Sequence, residues 1–206
     1  MSILQQLVFT PKCLVCSKLG LDVCSSCFQQ IKPFRSQDLF ELNACFCAGE
    51  YTGWLREAVI DYKNGKRSHA RALSTFLRIA LTELQLIGPM TIVPIPSSDQ
   101  KKRERGFDTM TTLCKRLVED DPILKLDATS LYLRRKVADQ VGLSGVSRKE
   151  NLEGAFGIRQ SVNGTFVLVD DVITTGSTLN SAAKSLRLAG AQRIYALALC
   201  GTPKTR

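Results

Sequence analysis

From residue 48 onward the apolar positions alternate between two periods. Residues 54–62, WLREAVIDY, place Leu55, Val59 and Tyr62 at helical spacing, and Asn64-Gly65 stops the pattern. Residues 70–84 repeat that spacing at Leu73, Leu77, Leu81 and Leu84. TIVPIP, residues 91–96, reads as a short strand entering a proline turn. Residues 107–120 bring Met110, Leu113 and Leu117 to one helical face, with Asp108 placed to cap it. LYLRR, residues 131–135, is a weaker strand. Residues 138–156 are polar and glycine-containing and predict a long loop of the kind that often carries function. TFVLVDD, residues 165–171, is apolar and β-branched or aromatic up to its two acids, which suits a strand buried on both faces. Residues 178–190 predict a helix with Leu179, Ala182, Leu186 and Ala189 inward and Gly190 as its stop. RIYALALC, residues 193–200, is a last strand. Strands alternating with helices predict an α/β domain with a parallel sheet flanked by helices.

Residues 1–47 break this pattern. They read as irregular and cysteine-dense, with Cys13, Cys16, Cys24 and Cys27 forming two C-x-x-C pairs separated by seven residues. Four thiolates at that spacing suit tetrahedral zinc, against the alternatives of buried cysteines or a redox pair. So short a segment has no core of its own, so metal would hold it together. The expected division is a zinc-binding element at 1–47 and an α/β domain at 48–206. Cys45 and Cys47 could replace a ligand or bind nothing, while Cys114 and Cys200 sit in core-like patterns and read as buried. His69, without a partner motif, reads as a surface residue.

Charge adds a partner class. The formal net charge of +9 favours polyanions, either nucleic acid or a phosphorylated substrate. No apolar run approaches the ~20 residues of a membrane-spanning helix. The first residues show neither a basic start nor a small-residue cleavage site, so the expected compartment is the cytoplasm.

The most informative string is VLVDDVITTGST, residues 167–178. Ligands of open α/β sheets bind outside the carboxyl ends of the strands, and Asp170 and Asp171 stand at such an end. Gly176 allows a tight turn, and the helix after it presents unpaired N–H groups to an anion. The hydroxyls of Thr174, Thr175, Ser177 and Thr178 add donors. The loop is a phosphate cradle. The acids beside it can accept from vicinal hydroxyls or share a metal with a diphosphate.

This string resembles the phosphoribosyl pyrophosphate (PRPP) loop of type I phosphoribosyltransferases. The resemblance implies that Asp170 and Asp171 hold the ribose hydroxyls and that residues 174–178 hold the 5′-phosphate. Further segments resemble ComF-type competence proteins, which are phosphoribosyltransferase-like and linked to natural transformation. VPIPSSDQKKRERGFD, residues 93–108, is similar to their V-P-x-P, basic run and R-G-F-N-Q. Residues 139–156 share Gln140, Gly142, Leu143, Ser144, Arg148, Asn151, Ala155 and Phe156 with another family segment. The paired cysteines resemble the family's N-terminal zinc element. The family's R-G-F-N-Q is R-G-F-D-T here, and Asp108 and Thr109 do not fully replace two amide donors.

The resemblance implies a pyrophosphate side built from the basic run. Lys101, Lys102, Arg103 and Arg105 offer four cations in five residues, and Arg148 lies on a segment that could close over the site. Mg²⁺ is the expected companion of PRPP. For transfer chemistry the candidate catalytic residues are Asp170, Asp171 and Arg105, with Asp171 and Asp108 the candidate bases. Lys63, Lys66 and Arg67, and Arg134, Arg135 and Lys136, form two further basic tracks for single-stranded DNA. Tyr51, Trp54, Tyr62 and Phe107 lie near basic segments, although aromatics at helical spacing are more often core. The expected function is a PRPP-binding, ComF-type protein that assists uptake or processing of single-stranded DNA, with a DNA-uptake motor or helicase as a further partner. The alternatives are a phosphoribosyltransferase acting on a base or amine, and a DNA-binding module with an inactive pocket.

Overall fold

The computed structural model describes residues 10–119, 121–134 and 154–203. Its centre is a six-stranded sheet in the order β1-β2-β8-β7-β3-β4. These strands are β1 (Phe34–Arg35), β2 (Ala44–Glu50), β3 (Met90–Pro94), β4 (Leu124–Leu126), β7 (Thr165–Ile173) and β8 (Arg193–Gly201). All neighbours run parallel except the short edge pair β1 and β2. The helices are α1 (Ser25–Phe28), α2 (Gly53–Lys63), α3 (Ala70–Thr82), α4 (Asp99–Arg105), α5 (Thr109–Val118) and α6 (Ser177–Leu188). A separate antiparallel pair, β5 (Leu131–Leu133) with β6 (Phe156–Ile158), completes the description.

The strand alternation sorts β7 between two cores. Val167 and Val169 face a cluster that contains Leu55, Leu73, Phe76, Leu113 and Leu117 from α2, α3 and α5. Phe166 and Leu168 face a second cluster with Leu179, Ala182 and Leu186 of α6 and Phe156 of β6. Helices therefore cover both faces, which is why β7 is apolar without interruption. Cys114 and Cys200 are buried, as their patterns predict.

Three expectations change. ACFCAGE, expected to be irregular, forms β2 and pairs with β8 in register from Ala44 with Tyr195 to Glu50 with Gly201. Cys45 and Cys47 are therefore buried strand residues, and the expected division at 47 and 48 falls inside this strand. The basic run after TIVPIP is helix α4 rather than a plain turn, capped by Ser98, whose Oγ accepts from Lys101 N at 3.4 Å. His69 is half-buried beside Asp61, with Nε2 3.7 Å from Oδ2. Most of the expected loop at 138–156 lies outside the described residues, and its last residue, Phe156, opens β6.

Candidate functional site

β3, β7 and β8 are parallel, so the chain leaves all three at one edge. Pro94 lies opposite Val169, one residue before the acid pair. The loop after β7 and helix α4 after β3 thus leave the sheet side by side.

Asp170 and Asp171 continue the alternation of β7. Asp171 takes the face of Val169, where α2 packs, and Lys63 at the end of α2 meets it with Nζ 2.8 Å from Oδ1. Asp170 points to the other face, and its Oδ1 accepts from Asp171 N at 2.8 Å. Burial, reinforced by the neighbouring Asp171 charge, pushes the Asp170 carboxyl up to about 7. Among the described residues, the ammonium beside the acid pair is that of Lys63, held on the Asp171 side.

The loop after the acids is shaped by Gly176, at φ 71°. A Cβ there would meet Leu39 Cδ2 at 2.5 Å. Thr174 and Thr175 are exposed, and Ser177 and Thr178 are half-buried at the start of α6. The Thr175 and Ser177 hydroxyls lie 2.9 Å apart. The first turn of α6 leaves N–H groups without intrahelical partners, at the positive end of its dipole. Residues 37–41 buttress this loop. Gln37 Nε2 donates to Thr174 O at 3.3 Å, and Glu41 N donates to Asn180 Oδ1 at 3.0 Å.

On α4, Lys101, Lys102 and Arg105 are half-buried and Arg103 is exposed. Gly106 ends the helix at φ 73°. Phe107 is then seated between Tyr62, with ring centroids 5.4 Å apart, and the Arg67 guanidinium, 4.7 Å from the ring centroid. Tyr62 Oη donates to Thr109 O at 2.9 Å, and Arg67 donates to Gly106 O. Phe107 thus locks the α4–α5 turn onto α2. Asp108 does not stand in for a ligand-binding amide: one oxygen accepts from Thr111 N at 3.1 Å and the other pairs with Lys102 at 3.0 Å. Both candidate bases, Asp108 and Asp171, are ion-paired.

The basic track that begins at the end of α2 is engaged with the protein's own groups, although Lys66 and Arg67 stay exposed. Lys63 holds Asp171, Lys66 holds Asp61 at 2.6 Å, and Arg67 covers Phe107. Tyr62 is core, and Trp54 packs edge-on against Phe76 at 5.3 Å. Arg134 follows β5 and lines a cavity, whereas Arg135, Lys136 and Arg148 lie outside the described residues. Lys63 is the site residue that sequence reasoning assigned elsewhere. Its helix carried no sign of which strand its end would reach.

The ligand atoms of Cys13, Cys16, Cys24 and Cys27 all lie within 4.8 Å of one another. Cys16 Sγ and Cys24 Sγ are 3.6 Å apart, close to the edge of ~3.8 Å that a tetrahedron of thiolates on zinc requires. Cys24 N donates to Cys13 Sγ at 3.4 Å, and a hydrogen bond from Ser26 helps lower the Cys24 thiol to about 6. Donors that favour thiolate are what a metal-ligating sulfur needs, and these four residues could hold a metal ion. The element is fastened to the domain by Leu14, Val15 and Val23 against the main core and by Asp22 with Arg71 at 3.3 Å.

The fold and the acid-then-cradle loop define a phosphoribosyltransferase-like protein. Residues 128–206 match the phosphoribosyl transferase domain. The chain is 31% identical over 202 residues to DNA utilization protein YhgH of Escherichia coli K12, covering 91% of this chain and 84% of that protein. It is 30% identical over 220 residues to Competence protein F of Haemophilus influenzae, covering 90% and 95%. The YhgH protein of Salmonella typhimurium is 30% identical over 200 residues, covering 91% and 84%. The chain belongs to the family of Competence protein F and YhgH, the ComF type. Among the described residues no helix is long and apolar enough to cross a membrane.

Proposed function

We propose that this protein binds PRPP at the edge of β7 and assists the handling of single-stranded DNA in the cytoplasm. Asp170 and Asp171 accept from the ribose hydroxyls, and the 5′-phosphate sits on residues 174–178. Lys101, Lys102, Arg103 and Arg105, joined by Arg148, face the pyrophosphate. The names of the relatives, DNA utilization protein and Competence protein F, supply the DNA half of the proposal. The observation that carries the PRPP half is the acid pair on a central parallel strand, followed directly by a glycine turn and the N-terminus of α6.

The four-cysteine group is proposed as a structural zinc site in a small N-terminal element that precedes the strands of the sheet. Mg²⁺ on the diphosphate would neutralise charge as pyrophosphate leaves C1. The chain's own part is positional. The acids orient the ribose, α4 brings cations to the leaving group, and Arg105 is the candidate to stabilise it. With Asp108 and Asp171 both ion-paired, the geometry favours binding and orientation over base catalysis.

The test is calorimetric titration of PRPP with Mg²⁺ into the intact protein, with ribose 5-phosphate as control. PRPP binding much tighter than the control, abolished by Asp170→Asn with Asp171→Asn in a folded protein, is the expected result. Equal affinity for both ligands, or unchanged affinity in the double variant, would overturn the assignment.

A further inference from the structure

On the α6 side of the sheet lies a groove of about 980 Å³ that borders Thr175, Gly176 and Ser177 but does not include the acid pair. Its walls are α6, the β5–β6 pair and the segment at residues 38–40. Two features set it apart. The rim carries large apolar side chains in the open, with Phe40 94% and Leu188 81% exposed. Among the described residues, the charged ones lining it are Arg134, Arg159 and Lys184 against one acid, Asp38. Arg159 is held in place, its guanidinium 4.7 Å from the Tyr132 ring centroid and its Nε donating to Thr129 O at 3.1 Å.

A groove whose described lining holds three cations to one acid and leaves a phenyl ring uncovered matches a particular ligand. Single strands are bound without sequence preference by cations that track the phosphates and aromatics that stack on the bases. A docked amphipathic helix would need a continuous hydrophobic groove. The α6 wall is mostly polar, with Ser177, Asn180, Ser181, Lys184 and Ser185 along it and Leu188 at its end. We propose that this groove seats a short stretch of single-stranded DNA, with a base stacked on Phe40 and phosphates on Arg159 and Lys184. The inference rests on the DNA-handling function above and gives it a location. That location lies on the opposite face of the sheet from α2, where the Lys63 track begins.

The experiment is fluorescence anisotropy of a labelled oligothymidylate with the full chain and three variants. Phe40→Ala and Lys184→Glu change exposed residues of the groove. Lys115→Glu changes an exposed residue of α5, on the opposite face of the sheet, and controls for net charge. Phe40→Ala and Lys184→Glu are each expected to weaken binding about tenfold, with Lys115→Glu close to the parent. PRPP titration should give the parent affinity in Lys184→Glu and Lys115→Glu. Binding by the parent that none of the groove variants weakens overturns the location and hands the groove to a peptide ligand. An equal loss in all three variants also overturns it, leaving only bulk charge. No binding by the parent chain removes the DNA half of the proposed function itself, whatever PRPP does.

Discussion

Lys63 Nζ lies 2.8 Å from Asp171 Oδ1, and strand alternation decides that Asp171 rather than Asp170 receives it. Asp171 shares the face of Val167 and Val169, which is the face α2 covers. Asp170 lies across the strand and feels the same ammonium more weakly, as a pull against burial and the Asp171 charge. Removing the ammonium should therefore raise the Asp170 carboxyl further. Ribose hydroxyls donate more strongly to an ionised acceptor, so Lys63→Ala is expected to lower PRPP affinity most near neutral pH. Affinity should recover as pH rises. Calorimetric titration across pH 6 to 9 checks this; a pH profile parallel to that of the parent would count against the coupling.

Asp170 also makes a stability claim. Its folded carboxyl, at about 7, lies above its ordinary value of 3.8. Between those values the folded chain binds more protons than the unfolded one, so stability declines as pH rises through that window. The cost is absent below about 4 and full above about 7. Asp170→Asn should stabilise the ligand-free protein at pH 8 by on the order of a few kcal/mol and change little at pH 4. Denaturant unfolding at both pH values measures it, and a variant no more stable than the parent at pH 8 contradicts the buried-charge account.

Much of this was legible in the sequence because the signals were local. The periods of Leu55, Val59 and Tyr62, and of Met110, Leu113 and Leu117, report burial directly, and Asp108 capped where it stood. The four cysteines that meet lie within fifteen residues of one another, so chain geometry alone limits their arrangement. What was not legible is what tertiary packing decides. ACFCAGE lacks a strand's usual punctuation, and its cysteines drew attention to metal, yet pairing with β8 makes it a strand. Lys63 was one cation in a basic run until the end of α2 came to rest beside β7. The Phe40 groove joins residues 38–40 to segments from Arg134 onward, far apart in the chain, so no spacing could announce it.

The cysteine group predicts a stoichiometry. With four sulfurs gathered within 4.8 Å and two of them already at 3.6 Å, one zinc per chain is expected by elemental analysis. Cys16→Ser or Cys24→Ser should lose it. Because Asp22 pairs with Arg71, and Val23 packs on the core, loss of metal should loosen the N-terminal element while β7 and its neighbours stay folded. Amide hydrogen exchange can separate the two regions. A metal-free chain with full protection at residues 13–27 would rule the zinc element out.

Gly176 offers the sharpest test of the cradle, because two separate demands fall on one atom. Its φ of 71° lies in the left-handed region, where any Cβ is strained by about 1 kcal/mol or more. The same Cβ would also enter Leu39 Cδ2 at 2.5 Å, and Leu39 belongs to the segment that buttresses the loop through Gln37 and Glu41. Gly176→Ala should thus displace both the turn and its support, costing about 1–3 kcal/mol of stability and most of the PRPP affinity. Leu39→Ala in the same chain removes the clash but not the strain. It should restore part of the stability and only part of the binding. If Gly176→Ala alone binds PRPP like the parent, the 5′-phosphate is not seated on this turn, and the loop's hydroxyls serve something else.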